Sequence, residues 1–199
     1  MADDKLLTKI LAQLATRPEA VKMQEYLTRS GAAPTISMDD LSELGSDVSA
    51  IYRQISPTGK FEKSVALDRF TSARNPTLAA GTLGHELTHA TDVQLDTQAR
   101  NTKGSQFADA YNKLALDLAA PYKDISKQRE TLAAKLSPGF VASDKAYRAS
   151  NDELPGFGVG NSLGFGATQP APPHVDATMA TEFMILLDLA MRNLKGNTK

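Results

Sequence analysis

Two histidines stand four residues apart, with a glutamate directly after the first, in the stretch GTLGHELTHATD at residues 81 to 92. Residues at i and i+4 of an α-helix share one face, about a turn apart. His85 and His89 can therefore each offer a ring nitrogen to a single metal ion. Zinc suits such a pair, because it takes nitrogen and carboxylate ligands tetrahedrally and does not change redox state. Glu86, one step round the helix, is placed to reach a water on that ion rather than the ion itself. A metal acidifies the water it holds, and Glu86 can take the proton and deliver it to a leaving amine. The chemistry on offer is hydrolysis of a peptide bond. The bland alternative is a helix whose histidines only pack or cap. With three histidines in the chain, chance produces this pattern roughly a few times in a thousand.

Such a site needs a helix to carry it and a scaffold to hold the helix. Asn75-Pro76 supplies the start, Asn as N-cap and Pro at the first helical position, and predicts a helix from 76 to about 98. Ahead of it, VSAIYRQI and KFEKSVALDRF mix β-branched and aromatic residues around the turn signal SPTGK, which predicts a β-hairpin or two sheet strands. SMDDLSELGSDV reads as a short helix. Leu6, Leu7, Ile10, Leu11 and Leu14 form one helical stripe, ended by Arg17-Pro18, and a second helix follows from Pro18 to about Gly31. Residues 1–33 are read as an N-terminal helical extension suited to packing or docking, and 34–199 as the domain that carries the motif. Beyond the motif, SQFADAYNKLALDLAAPY and ISKQRETLAAKL are helical, separated by Pro121. A Gly- and Pro-rich stretch with two Gly-Phe-Gly runs comes next. The final segment, VDATMATEFMILLDLAMRNL, is apolar around its circumference and is expected to be buried on most sides. Strands before the motif helix and helices after it give an α+β class, mostly helical, with a small sheet.

Composition closes several doors. Charged residues are 23% and the formal net charge is −1, so no broad electrostatic field favours nucleic acid or a membrane surface. With no Trp, there is little to stack bases on. No run of 18 or more apolar residues is present, so no membrane span is expected. The opening MADDKLLTKI lacks the pattern of a signal peptide. A cytoplasmic protein, or one carried in a virus particle, is the expectation. The absence of cysteine removes disulfides, thiolate ligands and a cysteine nucleophile together. GFGVGNSLGFG lacks the Gly-Lys-Ser/Thr ending of a phosphate loop and reads instead as a close-packed wall or flap of the site.

HELTHATD resembles the HExxH zinc metallopeptidases, the zincins, and within them the HExxHAxD form of lethal-factor-like glutamate-zincins. The resemblance rests on residues 76 to 96, roughly a tenth of the chain. It implies a zincin-like domain with His85 and His89 as zinc ligands and Glu86 as general base. The metzincin pattern asks for a Gly and a further His beyond the motif. This chain has Val93 and Leu95 in that region, which sets it outside that subgroup. Asp92, one turn past His89, is either a hydrogen-bond acceptor for a ligand imidazole or a solvated helix-face acid. Asp96, further along, reads as a surface residue.

Two histidines do not hold a catalytic zinc. The resemblance implies a third ligand from a downstream helix, and Glu153 in AYRASNDELPGFGVGN matches best. Glycines after it would let the segment approach the motif helix closely. Ser150 to Glu153 is also a capping-box pattern, in which Glu153 serves only its own helix start. Glu182 is the second candidate, an acid among apolar neighbours, which if buried needs a partner. His174 is the third. For the donor that stabilises a developing oxyanion, the resemblance implies Tyr147, with His174 as the alternative.

The expected function is a zinc-dependent peptidase acting on protein or peptide. The competing reading is a structural or assembly protein, for example a bacteriophage particle component, with a zincin-like metal site and N-terminal helices that dock a partner. A peptidoglycan or small-amide hydrolase would use the same zinc and Glu86 on another bond.

Overall fold

Asn75 and Pro76 do what their types dictate, and the rest of the fold is arranged around the helix they start. A computed structural model of the chain describes residues 2–44, 48–54, 62–119, 156, 159, 162–165 and 177–196. Within them lie helices α1 (Ala2–Leu14), α2 (Pro18–Arg29), α3 (Arg69–Arg74), α4 (Pro76–Asn101), α5 (Gln106–Ala119) and α6 (Ala177–Gly196). Three strands, β1 (Thr35–Asp39), β2 (Ala50–Arg53) and β3 (Ser64–Asp68), make one sheet in the order β1-β3-β2. The expected α+β class, mostly helical with a small sheet, is what the chain forms.

The motif helix α4 begins at the N-cap Asn75, whose side chain accepts from Leu78 N at 3.1 Å. It runs three residues past the expected end, to Asn101. α1, α2, α5, α6 and the sheet all pack on it. Small residues make this crowding possible: Ala79, Ala80, Gly81, Gly84, Thr88, Ala90 and Thr91 are buried along it. The buried hydroxyls of Thr88 and Thr91 donate to the carbonyls of Gly84 and Leu87, at 2.9 and 2.7 Å, so neither is left unpaired.

The N-terminal pair is part of this same core. Ile10, Leu14, Ala20, Met23, Tyr26 and Leu27 are buried with Leu83, Leu87 and Leu95 of α4 in one cluster. Tyr26 of α2 donates to Gln98 Oε1 at 2.8 Å, and Gln98 Nε2 donates to Ala190 O and Asn193 Oδ1 of α6, at 3.0 and 3.1 Å. One amide thus ties three helices.

β2 and β3 pair antiparallel, from Ala50 opposite Leu67 to Arg53 opposite Ser64, as the hairpin reading anticipated. Two elements differ from expectation. Thr35–Asp39, taken in part for a short helix, is a strand parallel to β3, and only Ser42–Leu44 forms a 3-10 turn. Asp39 and Asp40 here satisfy local backbone. Asp40 N bonds Asp39 Oδ1 and Ser42 N bonds Asp40 Oδ1, at 2.9 and 3.0 Å, which diverts the chain from helix. The second difference is that β3 stops at Asp68, where strand was expected to continue. Asp68 caps α3 by accepting from Thr71 N at 2.8 Å, and its other oxygen accepts from Leu41 N at 3.2 Å.

α6 is buried on one side through Ala180, Phe183, Leu186, Leu187 and Ala190. It is not enclosed as its composition suggested, since Ile185 is 56% exposed. No helix among the described residues is long and apolar enough to cross a membrane. ISKQRETLAAKL and the predicted capping box at 150–153 lie outside the described residues.

Candidate metal centre

One stripe of α4 is half-buried and carries the motif: Thr82, His85, Glu86, His89, Asp92, Val93 and Asp96. The spacing of these residues is that of one helix face. The polar motif therefore lies on a half-buried face of α4.

On that stripe the two imidazoles converge. His85 Nε2 and His89 Nε2 are 2.9 Å apart, with ring centroids 4.7 Å apart and planes at 77°. Two bare nitrogen lone pairs at this distance repel, so something positive lies between them: a proton on one ring, or a metal ion. Two nitrogens bound to one zinc at about 2.0–2.1 Å and a tetrahedral angle lie about 3.3 Å apart. Opening the pair by a few tenths of an ångström admits the ion. The donor set fits zinc at these two positions. Glu86 stands on the same half-buried stripe, directly after His85 and one turn before His89.

The segment beyond Glu153 reaches the site. Gly156 lies against His85, so closely that a Cβ at position 156 would stand 2.7 Å from Cε1 of the imidazole and 2.9 Å from each ring nitrogen. Seven residues later Leu163, fully buried, packs on Gly84, where a Cβ would overlap its Cδ1. Phe165 then lies under the Arg17 guanidinium, 5.0 Å from Cζ to the ring centre. The expectation that glycines after Glu153 let this segment approach the motif helix holds at Gly156.

Glu153, Tyr147 and His174 lie outside the described residues. Glu182 does not go where its apolar neighbours suggested. It is exposed on α6, lining a groove with Ala110, Lys113 and Leu114 of α5. Among the described residues no group of three His, Asp or Glu side chains is placed to hold a metal, so Glu182 does not complete the histidine pair. A helix made of apolar residues says nothing about which flank meets the core, and Glu182 sits on the other flank.

Asp92 accepts a hydrogen bond from the Tyr111 hydroxyl of α5 at 3.2 Å. Burial pushes the Tyr111 phenol well above its ordinary range, and the charges of Asp92 and Asp96 push it the same way, so it stays a donor. Tyr111 did not stand out in the sequence. The available signal was Phe107 and Tyr111 one turn apart on a helix otherwise apolar on that side, an aromatic pair whose hydroxyl needs a partner. Asp96 pairs with Arg100 at 2.8 Å along the helix surface, as a surface acid does.

The chain matches no protein-family model, no curated protein and no solved structure. Function is therefore argued from the site alone.

Proposed function

We propose that this chain is a zinc-dependent peptidase of the zincin kind, with His85 and His89 as two ligands and Glu153 as the third. The observation that carries the reading is the approach of two Nε2 atoms to 2.9 Å, with a glutamate on the same half-buried stripe of α4. Gly156 lying against His85 supports Glu153, since only two residues separate it from a position already at the site. A bound zinc would supply Lewis acidity, polarising a carbonyl and lowering the pKa of water. Glu86 takes a proton from the attacking water and passes it to the departing amine. Tyr147 is assigned as donor to the oxyanion, on the resemblance to lethal-factor-like enzymes. Among the described residues β2 is an edge strand packed on α4, with main-chain groups that an extended peptide can pair with.

The packing of Gly156 on His85 also favours a second reading. A metal shared between α4 and the Gly156 segment would tie the two together, which is what a structural site in an assembly protein does. One experiment separates them. Purified protein should carry about one zinc per chain, lost in His85→Ala. Glu86→Gln should keep the zinc and lower casein cleavage by about 100-fold or more. Zinc-loaded wild type that cleaves nothing supports the structural reading. Metal-free, stable wild type overturns both.

A further inference from the structure

The position of Gly156 goes beyond bringing a segment near the site. An approach in the plane of the imidazole, beyond Cε1, would leave the two ring nitrogens much farther from a Cβ than the carbon. The near-equal separations of 2.7, 2.9 and 2.9 Å place position 156 over the face of the His85 ring instead. Rotation of an imidazole about its last side-chain bond is soft, with broad wells rather than sharp ones. A backbone laid on the ring face removes that freedom. The nitrogen aimed at His89 is Nε2, and the ring is held so that this atom points at Nε2 of the partner histidine.

The segment has its own anchor. Leu163, fully buried, sits on Gly84 next to His85, and Leu14 of α1 stands 3.5 Å from where a Gly84 Cβ would be. Val159 is also fully buried. Val159 and Leu163, three and seven residues on, are thus held in the apolar core and not by the ring. A side chain added at position 156 cannot push the segment away cheaply, so the imidazole must turn.

We infer that Gly156 is a positioning residue for the metal centre: its missing side chain lets the backbone press on the His85 imidazole and fix the direction of Nε2. This rests on the metal reading above. Crowding at 156 should act as loss of an outer support of a ligand does, weakening metal binding by about 10–100-fold.

The test is zinc affinity by chelator competition, with the visible spectrum of the cobalt-substituted protein as a second readout. Gly156→Ala should raise the zinc Kd by about 10–100-fold and shift the cobalt bands, which report ligand geometry. Leu163→Ala removes the anchor's apolar contact and adds no atom near the ring. It should lower the melting temperature of the metal-free protein and, because position 156 loses an anchor, raise the zinc Kd by less than Gly156→Ala does. Wild type that binds zinc, with Gly156→Ala equal to it in Kd and spectrum, overturns the inference alone. Wild type that binds no zinc overturns the metal reading and the inference together. Should Gly156→Ala not fold, the contact is read in metal-free wild type by NMR. A nuclear Overhauser effect between the Gly156 α protons and His85 Hε1 upholds the inference, and its absence overturns it.

Discussion

Tyr111 and Asp92 show how a residue can serve the motif from another helix. Removing the hydroxyl in Tyr111→Phe leaves a half-buried carboxylate without one of its donors. The bond is long, at 3.2 Å, so the expected cost is about 1 kcal/mol, read from the urea midpoint. The zinc Kd should rise if Asp92 steadies the turn that carries His89, and the same chelator titration measures it. The histidine pair was legible in the sequence because four-residue spacing on a helix is local geometry. Tyr111 was not, because its meeting with Asp92 depends on where α5 crosses α4. Glu182 shows the opposite failure. Apolar neighbours suggested burial, but which flank of a helix meets the core is decided by the partners and not by the helix.

At the level of elements, α4 depends on its ends and on one amide. Asn75→Ala should cost about 1 kcal/mol, since it frees the Leu78 N–H that the side chain now accepts. Gln98→Ala removes three hydrogen bonds at once and leaves the buried Tyr26 hydroxyl without its acceptor, so about 1–3 kcal/mol is expected. Both are read by denaturant unfolding at neutral pH. The N-cap and the start of α4 were visible in Asn75-Pro76, where the signal is two adjacent residues. β1 was missed for a physical reason. Ile36 and Met38 pack inward and Thr35, Ser37 and Asp39 are exposed, an alternation over only five residues. What makes it a strand is pairing with β3, nearly thirty positions away.

The whole molecule carries two further consequences. Residues 1–33, read from the sequence as an extension, bury Ile10, Leu14, Met23 and Leu27 against α4. Burial of four such side chains stabilises by about 6–12 kcal/mol, comparable with the entire stability of a domain, about 5–15 kcal/mol. A chain beginning at residue 34 is therefore expected not to fold, checked by circular dichroism and dye binding. The second consequence concerns alkaline pH. Burial raises the phenol pKa of both Tyr26 and Tyr111 above its ordinary value near 10. Below that value both states hold the proton, and the tyrosines contribute no pH dependence. Above it the unfolded chain loses protons that the folded chain keeps, so stability falls as pH rises. Denaturant midpoints should start to drop at about pH 10 and keep falling above it, and less so in Tyr26→Phe.

The Gln98 amide also sets a timetable. Its acceptors on α6 lie 92 and 95 residues further along the chain, while Tyr26 lies 72 residues before it. During synthesis, α1, α2 and α4 exist long before α6, and the N-terminal part of a chain tends to organise first. Until α6 docks, the Gln98 amide nitrogen at the far end of the motif helix lacks its two acceptors. The histidine pair is thus written early and finished late. Ribosome-bound chains lacking α6 should show faster amide hydrogen exchange around Gln98 than the full chain, a sign that this end of α4 is fastened last.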